Sequence, residues 1–205
     1  RQVDASTPGV YVVTYDATDS FGNVALQVTR TVTVQDTTPP VITLTGANPQ
    51  VIECPDAYVE LGATAVDACD PALGAVVIDA SAVNVTTPGS YVVTYNISDS
   101  NGNAAVEVTR TVNVIDTTPP VITLLGDNPQ LIESPDPYLE LGATADDDCD
   151  QALGAVVINA SAVDVLTPGS YLVTYDISDA SGNAAVTVTR TVNVLDTTPP
   201  LLTLI

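Results

Sequence analysis

The chain has 205 residues, among them 25 Asp and Glu, four Arg and no Lys or His, and its formal net charge is −21. This charge argues against nucleic acid and anionic membrane surfaces as partners, because both bind cationic faces, and it makes cations the natural counterpart. Since the commonest general base, Schiff-base amine and transition-metal ligand are all missing, we expect no enzymatic activity. No apolar run is long enough to span a bilayer, so we expect no direct membrane insertion.

The sequence is a tandem repeat with a period of 80 residues. Asp-Thr-Thr-Pro-Pro begins at Asp36, Asp116 and Asp196, and the copies 37–116 and 117–196 differ at 18 of 80 positions. Such self-similarity at a fixed interval is typical of repeat architectures. We therefore expect four segments: residues 1–36 as the C-terminal part of a repeat, 37–116 and 117–196 as complete repeats, and 197–205 as the first strand of a further repeat.

Each repeat is predicted to be all-β. β-Branched residues alternate with polar ones in short runs that are broken by Gly, Pro, Asn and Asp, and no run has helical periodicity with a cap. In the copy from Thr37 the predicted strands are Val41 to Thr45, Val51 to Glu53, Gly62 to Val66, Ala75 to Asp79, Ala82 to Val85, Ser90 to Ser98 and Ala105 to Ile115. Seven short strands in about 80 residues favour a two-sheet Greek-key β-sandwich.

The last two predicted strands flank a turn at Asn101-Gly102. Both residues tolerate positive φ, so the pair predicts a tight hairpin. On the strand before the turn, alternation predicts one core-facing set of side chains. That set is Tyr91, Val93, Tyr95 and Ile97.

On the strand after the turn, Arg110 falls in phase with the valines that should face the core, as Arg30 and Arg190 do in their copies. Burying a charged side chain costs free energy unless the charge is paired. We expect either a β-bulge that shifts the phase or an edge position where the Arg stem covers apolar surface and its head reaches a carboxylate. A ligand-binding role for the Arg is the alternative.

The Pro-Pro pair of each Asp-Thr-Thr-Pro-Pro sequence follows the last strand of a repeat. Pro39 and Pro40 have no amide hydrogens to donate and their φ angles are fixed. They should therefore end the preceding strand and hold the entry to the next repeat extended. We interpret this sequence as a semi-rigid joint between sandwiches.

These elements together resemble the bacterial immunoglobulin-like repeats of the hyalin-repeat type. The resemblance covers the whole chain and is strongest at "DTTPP", "GATA" followed by Asp, "TPGSYVVTY", "SDSNGN" and "VTRTV". It implies tandem immunoglobulin-like Greek-key β-sandwiches in an extended array, located outside the cell in a secreted or cell-surface protein. Such arrays act as stalks, adhesive arms or spacers.

The resemblance also bears on the three cysteines. Similar repeats often carry a cysteine pair in the "IEC…DACD" setting, which implies a disulfide between Cys54 and Cys69 in an extracellular protein. Cys149 would then be a free or an intermolecular thiol, because Ser134 replaces its expected partner. Two separate buried thiols at Cys54 and Cys69 are the alternative.

Acidic loops suggest a cation site at each junction. In an immunoglobulin-like sandwich, the loop after the second strand and the final hairpin loop lie at the end where the chain enters. Clustered carboxylates repel one another, and calcium, which takes six to eight oxygen ligands, relieves that repulsion. The candidate ligands are Asp36, Asp67, Asp70, Asp99 and Asn103, and in the next copy Asp116, Asp147, Asp150, Asp179 and Asn183. Ordinary turn formation by Asp and Asn is the alternative.

We therefore predict a non-catalytic extracellular structural repeat that forms a stalk, spacer or fibre of a larger surface or secreted protein. The alternative is an adhesin or carbohydrate-binding accessory module that recognises a specific target through its loops. The expected partners are neighbouring repeats of the same protein. The incomplete ends allow strand donation into fibres, but their 45 residues cannot complete an 80-residue repeat, which favours truncation.

Overall fold

The computed structural model describes residues 2–203, and that range contains fourteen β-strands and no helix. Accordingly, the described residues offer no helix with the length and apolar character needed to cross a bilayer. The strands are β1 (Gly9–Tyr15), β2 (Val28–Val34), β3 (Val41–Leu44), β4 (Gln50–Glu53), β5 (Ala63–Val66), β6 (Val77–Asp79), β7 (Gly89–Asn96), β8 (Val108–Ile115), β9 (Val121–Leu124), β10 (Gln130–Glu133), β11 (Ala143–Asp146), β12 (Val157–Asn159), β13 (Gly169–Asp176) and β14 (Val188–Leu195).

The strands form a four-stranded and a two-stranded sheet in each complete copy. The larger sheets have the order β4-β8-β7-β6 and β10-β14-β13-β12, and the smaller ones pair β3 with β5 and β9 with β11. β10 runs parallel to β14, whereas β13 is antiparallel to both β14 and β12. β1 and β2 form an antiparallel pair of their own. The predicted all-β class with two-sheet sandwiches is confirmed.

One predicted strand is wrong. Residues 82–85 form turns, in which the Val83 amide donates to the carbonyl of Ala80 at 3.0 Å. The Asp79 carboxylate accepts the amide of Ser81 at 2.9 Å, and the carbonyl oxygen of the Asn84 side chain accepts the amide of Thr86 at 3.1 Å. These side-chain bonds give the backbone an alternative to sheet pairing, and strand alternation alone does not reveal them.

The core forms where the predicted inward face of the long strand meets its neighbours. In the first complete copy Val93 and Tyr95 are fully buried and Ile97 is 7% exposed, while Tyr91 is partly buried, so the predicted face is confirmed. The equivalent cluster in the second copy joins both sheets. Its buried members are Ile122, Ile132, Val173, Tyr175, Ile177, Val192 and Val194.

Arg110 and Arg190 lie on β8 and β14, which are central strands of the four-stranded sheets. The register of β13 with β14 runs unbroken through Val173 opposite Arg190, and the Arg190 side chain is fully buried. Its Nη1 lies 3.0 Å from Oε1 of Glu140. Its Nη2 donates to the carbonyls of Leu125 and Gly142. For Arg110 and Arg190 the expected edge position is therefore wrong and the expected carboxylate partner is confirmed, and β14 has no bulge at Arg190, whereas Arg30 is exposed on the two-stranded sheet of β1 and β2.

The predicted turn at Asn101-Gly102 is present, but its backbone conformation differs from the expected one. Gly102 has φ near 89° and its amide donates to the Asp99 carbonyl at 3.3 Å, but among the described residues only glycines have positive φ, so Asn101 does not adopt the positive φ that the prediction assumed. Instead the Asp99 amide donates to the Asn103 carbonyl, and β7 and β8 end and begin several residues away. The Asp99 carboxylate accepts the amides of Asn101 and Asn103, and this arrangement stabilises the larger loop.

The chain divides into two compact units. The first contains Arg1–Gln50, Tyr58–Val83 and Ser90–Val112, and the second contains Val51–Ala57, Asn84–Gly89 and Asn113–Ile205. The second unit thus includes two short segments from the 37–116 copy. The segment boundaries 1–36, 37–116, 117–196 and 197–205 remain predictions. In the last of these, residues up to 203 have no regular secondary structure, and the rest of the expected strand lies outside the described residues.

Candidate functional site at the repeat junctions

Two equivalent groups of polar residues surround the Asp-Thr-Thr-Pro-Pro sequences. The first junction cluster lies in the first compact unit, and the second lies in the second unit. The first cluster consists of Asp36, Asp67, Cys69, Asp70, Asp99, Asn101 and Asn103, and the second of Asp116, Asp147, Cys149, Asp150, Asp179, Ser181 and Asn183.

The acid and threonines of Asp-Thr-Thr-Pro-Pro have separate structural roles. Oδ1 of Asp116 accepts the amide of Thr118 at 3.2 Å and its hydroxyl at 3.1 Å, which forms an Asx turn. The amide of Thr117 donates to Oε1 of Glu53 at 2.7 Å. Asp116 is only 8% exposed. The sequence therefore specifies a hydrogen-bonded turn at the end of β8.

The loop after β7 is bonded to that turn. The Asn103 side-chain amide donates to the Asp36 carbonyl at 3.2 Å and to Oδ2 of Asp99 at 2.7 Å, and Asn183 repeats both bonds with Asp116 and Asp179. Burial raises the pKa of Asp99, but the hydrogen bonds from Asn103 and its neighbours outweigh it and hold the pKa below its usual range. The charged form of this carboxylate is therefore part of the loop structure.

The loop after β5 is organised in the same way. Oδ1 of Asp67 accepts the amides of Cys69 at 2.7 Å and Asp70 at 2.9 Å. Oδ2 of Asp70 accepts the amide of Ser100 at 2.9 Å, and this bond lowers the pKa of Asp70. In the second cluster, Asp147 and Asp150 bind the amides of Cys149 and Ala180 in the same pattern.

The predicted calcium ligands therefore lie near one another. In the described part of the chain, ligand atoms of Asp36, Asp67 and Cys69 lie within 4.8 Å of one another. The carboxylates of Asp36, Asp67, Asp70 and Asp99 all accept loop hydrogen bonds as well. Calcium binding at the first cluster remains a prediction.

The second cluster has one unsatisfied oxygen. Oδ2 of the buried Asp116 has no hydrogen-bond partner. In the first cluster the side-chain amide of Asn101 donates to Oδ2 of Asp36 at 3.3 Å, and Ser181 stands at the equivalent position in the second. A cleft of about 220 Å³ opens at this cluster. It is lined by Thr86, Thr87, Pro88, Asp116, Cys149, Asp150, Ala180 and Ser181.

The disulfide joins Cys54 to Cys149, with Cα atoms 5.7 Å apart and a sequence separation of 95 residues. The predicted bridge from Cys54 to Cys69 is wrong, and Cys69 rather than Cys149 is the free thiol. Burial and the charges of nearby Asp36, Asp67 and Asp99 raise the pKa of the Cys69 thiol. Both half-cystines belong to the second compact unit, although they come from different copies of the repeat.

The predicted bridge assumed that the strands before Cys54 and Cys69 are neighbours. They belong to different sheets, because β4 lies next to β8 whereas β5 pairs with β3. The Cys54 amide donates to the Ile115 carbonyl at 2.8 Å, so this cysteine lies beside the end of β8. β5 pairs Val66 with Val41 at the start of β3, so Cys69 lies near the entry of the repeat.

The fold and these hydrogen-bonded junctions define a chain of immunoglobulin-like sandwiches that repeat in tandem. The model of the family described as "Bacterial surface protein, Ig-like domain" matches residues 1–34, 42–114 and 122–194. The chain belongs to this family. Its repeats are therefore extracellular or surface repeats.

Two curated relatives carry the name Hyalin. The chain is 36% identical to Hyalin of Strongylocentrotus purpuratus over 206 residues, an alignment that covers 93% of this chain and 17% of that protein. It is 34% identical to Hyalin of Lytechinus variegatus over 224 residues, covering 96% of this chain and 39% of that protein. The chain thus spans less than half the length of either relative.

Proposed function

We propose that this chain is a non-catalytic structural spacer of a larger surface or secreted protein, in which covalent and hydrogen-bonded junctions hold consecutive repeats in one arrangement. The disulfide between Cys54 and Cys149 carries this proposal, because it links two copies of the repeat rather than closing a loop within one. A bond of this kind limits rotation and separation of the two copies. That property suits a load-bearing stalk.

Hydrogen bonds at the same junction support the proposal. The amide of Thr117 binds Glu53, and the side chain of Asn183 binds the carbonyl of Asp116. These bonds connect residues before and after the joint within the second compact unit. The Pro residues that follow remove rotational freedom from the chain.

An adhesin or carbohydrate-binding role is the second candidate. Carbohydrate sites commonly offer aromatic side chains on which sugar rings stack, whereas a cleft of about 390 Å³ in the second unit is lined by acidic and small residues. The lining residues are Thr118, Pro119, Val121, Asp146, Asp147 and Asp148. The chemistry of this cleft therefore favours the spacer.

The proposal includes structural calcium at the second junction cluster. Oδ2 of Asp116 is buried and unpartnered, and Asp116 and Asp150 line the same cleft. A buried carboxylate oxygen without a donor is unfavourable, and a hard cation would satisfy it. Calcium would add to the disulfide in limiting motion at this joint.

Small-angle scattering tests the spacer role. We expect the oxidised chain to scatter as a single conformation and the Cys149→Ser variant to need a broader ensemble. Cys69→Ser is the matched control, since it removes the cysteine outside the disulfide and should scatter like the parent. Identical profiles for Cys149→Ser and the parent would contradict the proposal.

Binding and self-association are measured on the same samples. The spacer role predicts no saturable binding on a glycan array, whereas an adhesin would bind and would lose binding on substitution of one loop. Concentration-dependent scattering would reveal assembly into fibres.

A further inference from the structure

Cys69 is the free cysteine of the described chain and occupies the position that Cys149 occupies one period later. The local geometry of the two is the same. The Cys69 amide donates to Oδ1 of Asp67 at 2.7 Å, and the Cys149 amide donates to Oδ1 of Asp147 at 2.8 Å. Only Cys149 has a sulfur partner, so the difference lies in the partner and not in the loop.

The partner of Cys149 is positioned by strand β4. Cys54 directly follows β4, and its amide donates to the carbonyl of Ile115, one residue before the Asp-Thr-Thr-Pro-Pro sequence. The second copy repeats this arrangement, because Ser134 follows β10 and its amide donates to the carbonyl of Leu195 at 2.7 Å. A strand of this type therefore fixes where its following residue lies.

The corresponding place in the first unit has no such strand. β10 pairs in parallel with β14 from Gln130 opposite Val192 to Glu133 opposite Leu195. Two periods earlier these β14 positions are residues 32–35, and in the described structure β2 pairs with β1 alone.

We propose that Cys69 is the receiving thiol of a repeat-to-repeat disulfide, which it forms with a cysteine that follows a β4-type strand paired in parallel with β2. The strand comes from the repeat on the N-terminal side, as β4 does for Cys149. The general rule is that the cysteine at the Cys54 position bonds the cysteine at the Cys69 position one repeat later.

The bond forms by thiol–disulfide exchange. One thiolate attacks a small-molecule disulfide such as glutathione disulfide, and the second thiolate then displaces the glutathione, so two protein thiols become one disulfide and one glutathione disulfide becomes two thiols. The acidic surroundings of Cys69 keep its thiolate fraction low and slow exchange with chance partners. A strand that holds the second sulfur beside the Cys69 sulfur compensates for the low thiolate fraction.

The test completes the first repeat on the full chain. A second copy of residues 37–80, with its own Cys69→Ser change, is added before Arg1, and the extended chain is refolded with reduced and oxidised glutathione. We expect no titratable thiol, with peptide mapping that shows the added Cys54 bonded to Cys69 and the original Cys54 bonded to Cys149.

The matched control is the same extended chain with Cys54→Ser in the added copy, which should contain one free thiol at Cys69. Two free thiols in the test chain, or any other pairing of Cys69, would overturn the proposal. The proposal would also be overturned if circular dichroism showed that the control folds and the test chain does not. The readout is connectivity, so it stands independently of the spacer role.

Discussion

Arg110 and Arg190 lie inside the sandwiches because three kinds of partner replace the water that each charge loses. Arg110 lies 3.3 Å from Glu60, donates to the carbonyls of Thr45 and Gly62, and lies 5.5 Å from the Tyr95 ring centroid. The Tyr95 hydroxyl also donates to Glu60 at 2.6 Å. The guanidinium therefore connects the strand that carries it with the segment that follows β3 and the segment that precedes β5.

Replacing Arg110 with Met should destabilise the protein strongly. Removing one partner of a buried ion pair costs about 3–5 kcal/mol, and because the Glu60 side chain keeps 26% exposure, the cost here should lie at the lower end of that range. Arg30→Met is the matched control, since Arg30 is exposed and its guanidinium lies 5.8 Å from the Tyr15 ring centroid, so the substitution should cost about 0.5 kcal/mol or less. Urea unfolding measures both, and similar losses would contradict the assigned role.

Adding Glu60→Leu to Arg110→Met should recover part of the loss, because no charge is then left buried without its partner. A double variant less stable than the sum of the two single losses would show that the network is not coupled in this way.

Stability should depend on pH at both extremes. Burial raises the pKa of Glu60, but hydrogen bonds from Tyr58, Tyr95 and Gly62 and the charge of Arg110 outweigh it, so the pKa lies below 4.5. The stability this gives is complete above pH 4.5 and is lost as the pH falls through the lowered pKa. Burial and Glu60 raise the pKa of Tyr95 from 10.0 to about 12, so stability is complete below pH 10 and is lost towards pH 12.

Thermal melting from pH 3 to 12 measures this profile. Glu60→Gln should reduce the fall in melting temperature at acid pH. At neutral pH the melting temperature of this variant should be lower than that of the parent. A parent melting temperature that is constant from pH 6 to pH 3 would contradict the acid prediction.

At the scale of elements, the loops depend on specific carboxylates as much as the strands depend on their alternation. Asp99 accepts two backbone amides and the side-chain amide of Asn103. An Asn at this position would present a second donor towards Asn103. The loop therefore needs the acid and not only a residue that favours turns.

Asp99→Asn should lower the melting temperature equally with calcium and with chelator, because the lost bond is internal to the loop. Asp79→Asn is a suitable control, since the second copy already has Asn159 at that position. A loss for Asp99→Asn that appears only with calcium present would instead identify Asp99 as a metal ligand.

Sequence reasoning recovered the strands better than their partners. Because alternation is a local pattern, it predicted a long strand from Ser90 to Ser98 and its core face, and the observed strand is Gly89–Asn96. The pairing of Arg110 with Glu60 depends on contacts 50 residues apart, and that of Cys54 with Cys149 on contacts 95 residues apart. Spacing carries no information on such contacts. The similarity of the copies also favoured a wrong pairing, because each copy was treated as a separate unit and Cys54 was paired with Cys69 of the same copy.

At the scale of the whole molecule, the disulfide converts a string of repeats into a covalently reinforced one. It should contribute about 4–5 kcal/mol in the chain-entropy model for a loop of 95 residues. Cys149→Ser should therefore lower the unfolding midpoint in urea, as should reduction of the parent. Cys69→Ser should do neither, and equal midpoints for the two variants would contradict this prediction.

Calcium should stabilise the second junction cluster. Extracellular modules bind calcium with dissociation constants of about 0.1–1 mM, so about 10 mM calcium should add about 1.4–2.7 kcal/mol per site. Ser181→Asn supplies Asp116 with the donor that Asn101 gives Asp36, so it should reduce the calcium effect. Equal melting curves in calcium and in chelator would remove calcium from the proposal.

The link between Cys54 and Cys149 also changes what a protease can do to the chain. A single cut between residues 55 and 148 leaves both fragments attached, because one carries Cys54 and the other carries Cys149. Under the pairing rule, links of successive repeats overlap, and every peptide bond between the first and last link is bypassed by at least one of them. Ser134 interrupts that series, so a cut after Cys149 is bypassed by no disulfide among the cysteines of this chain.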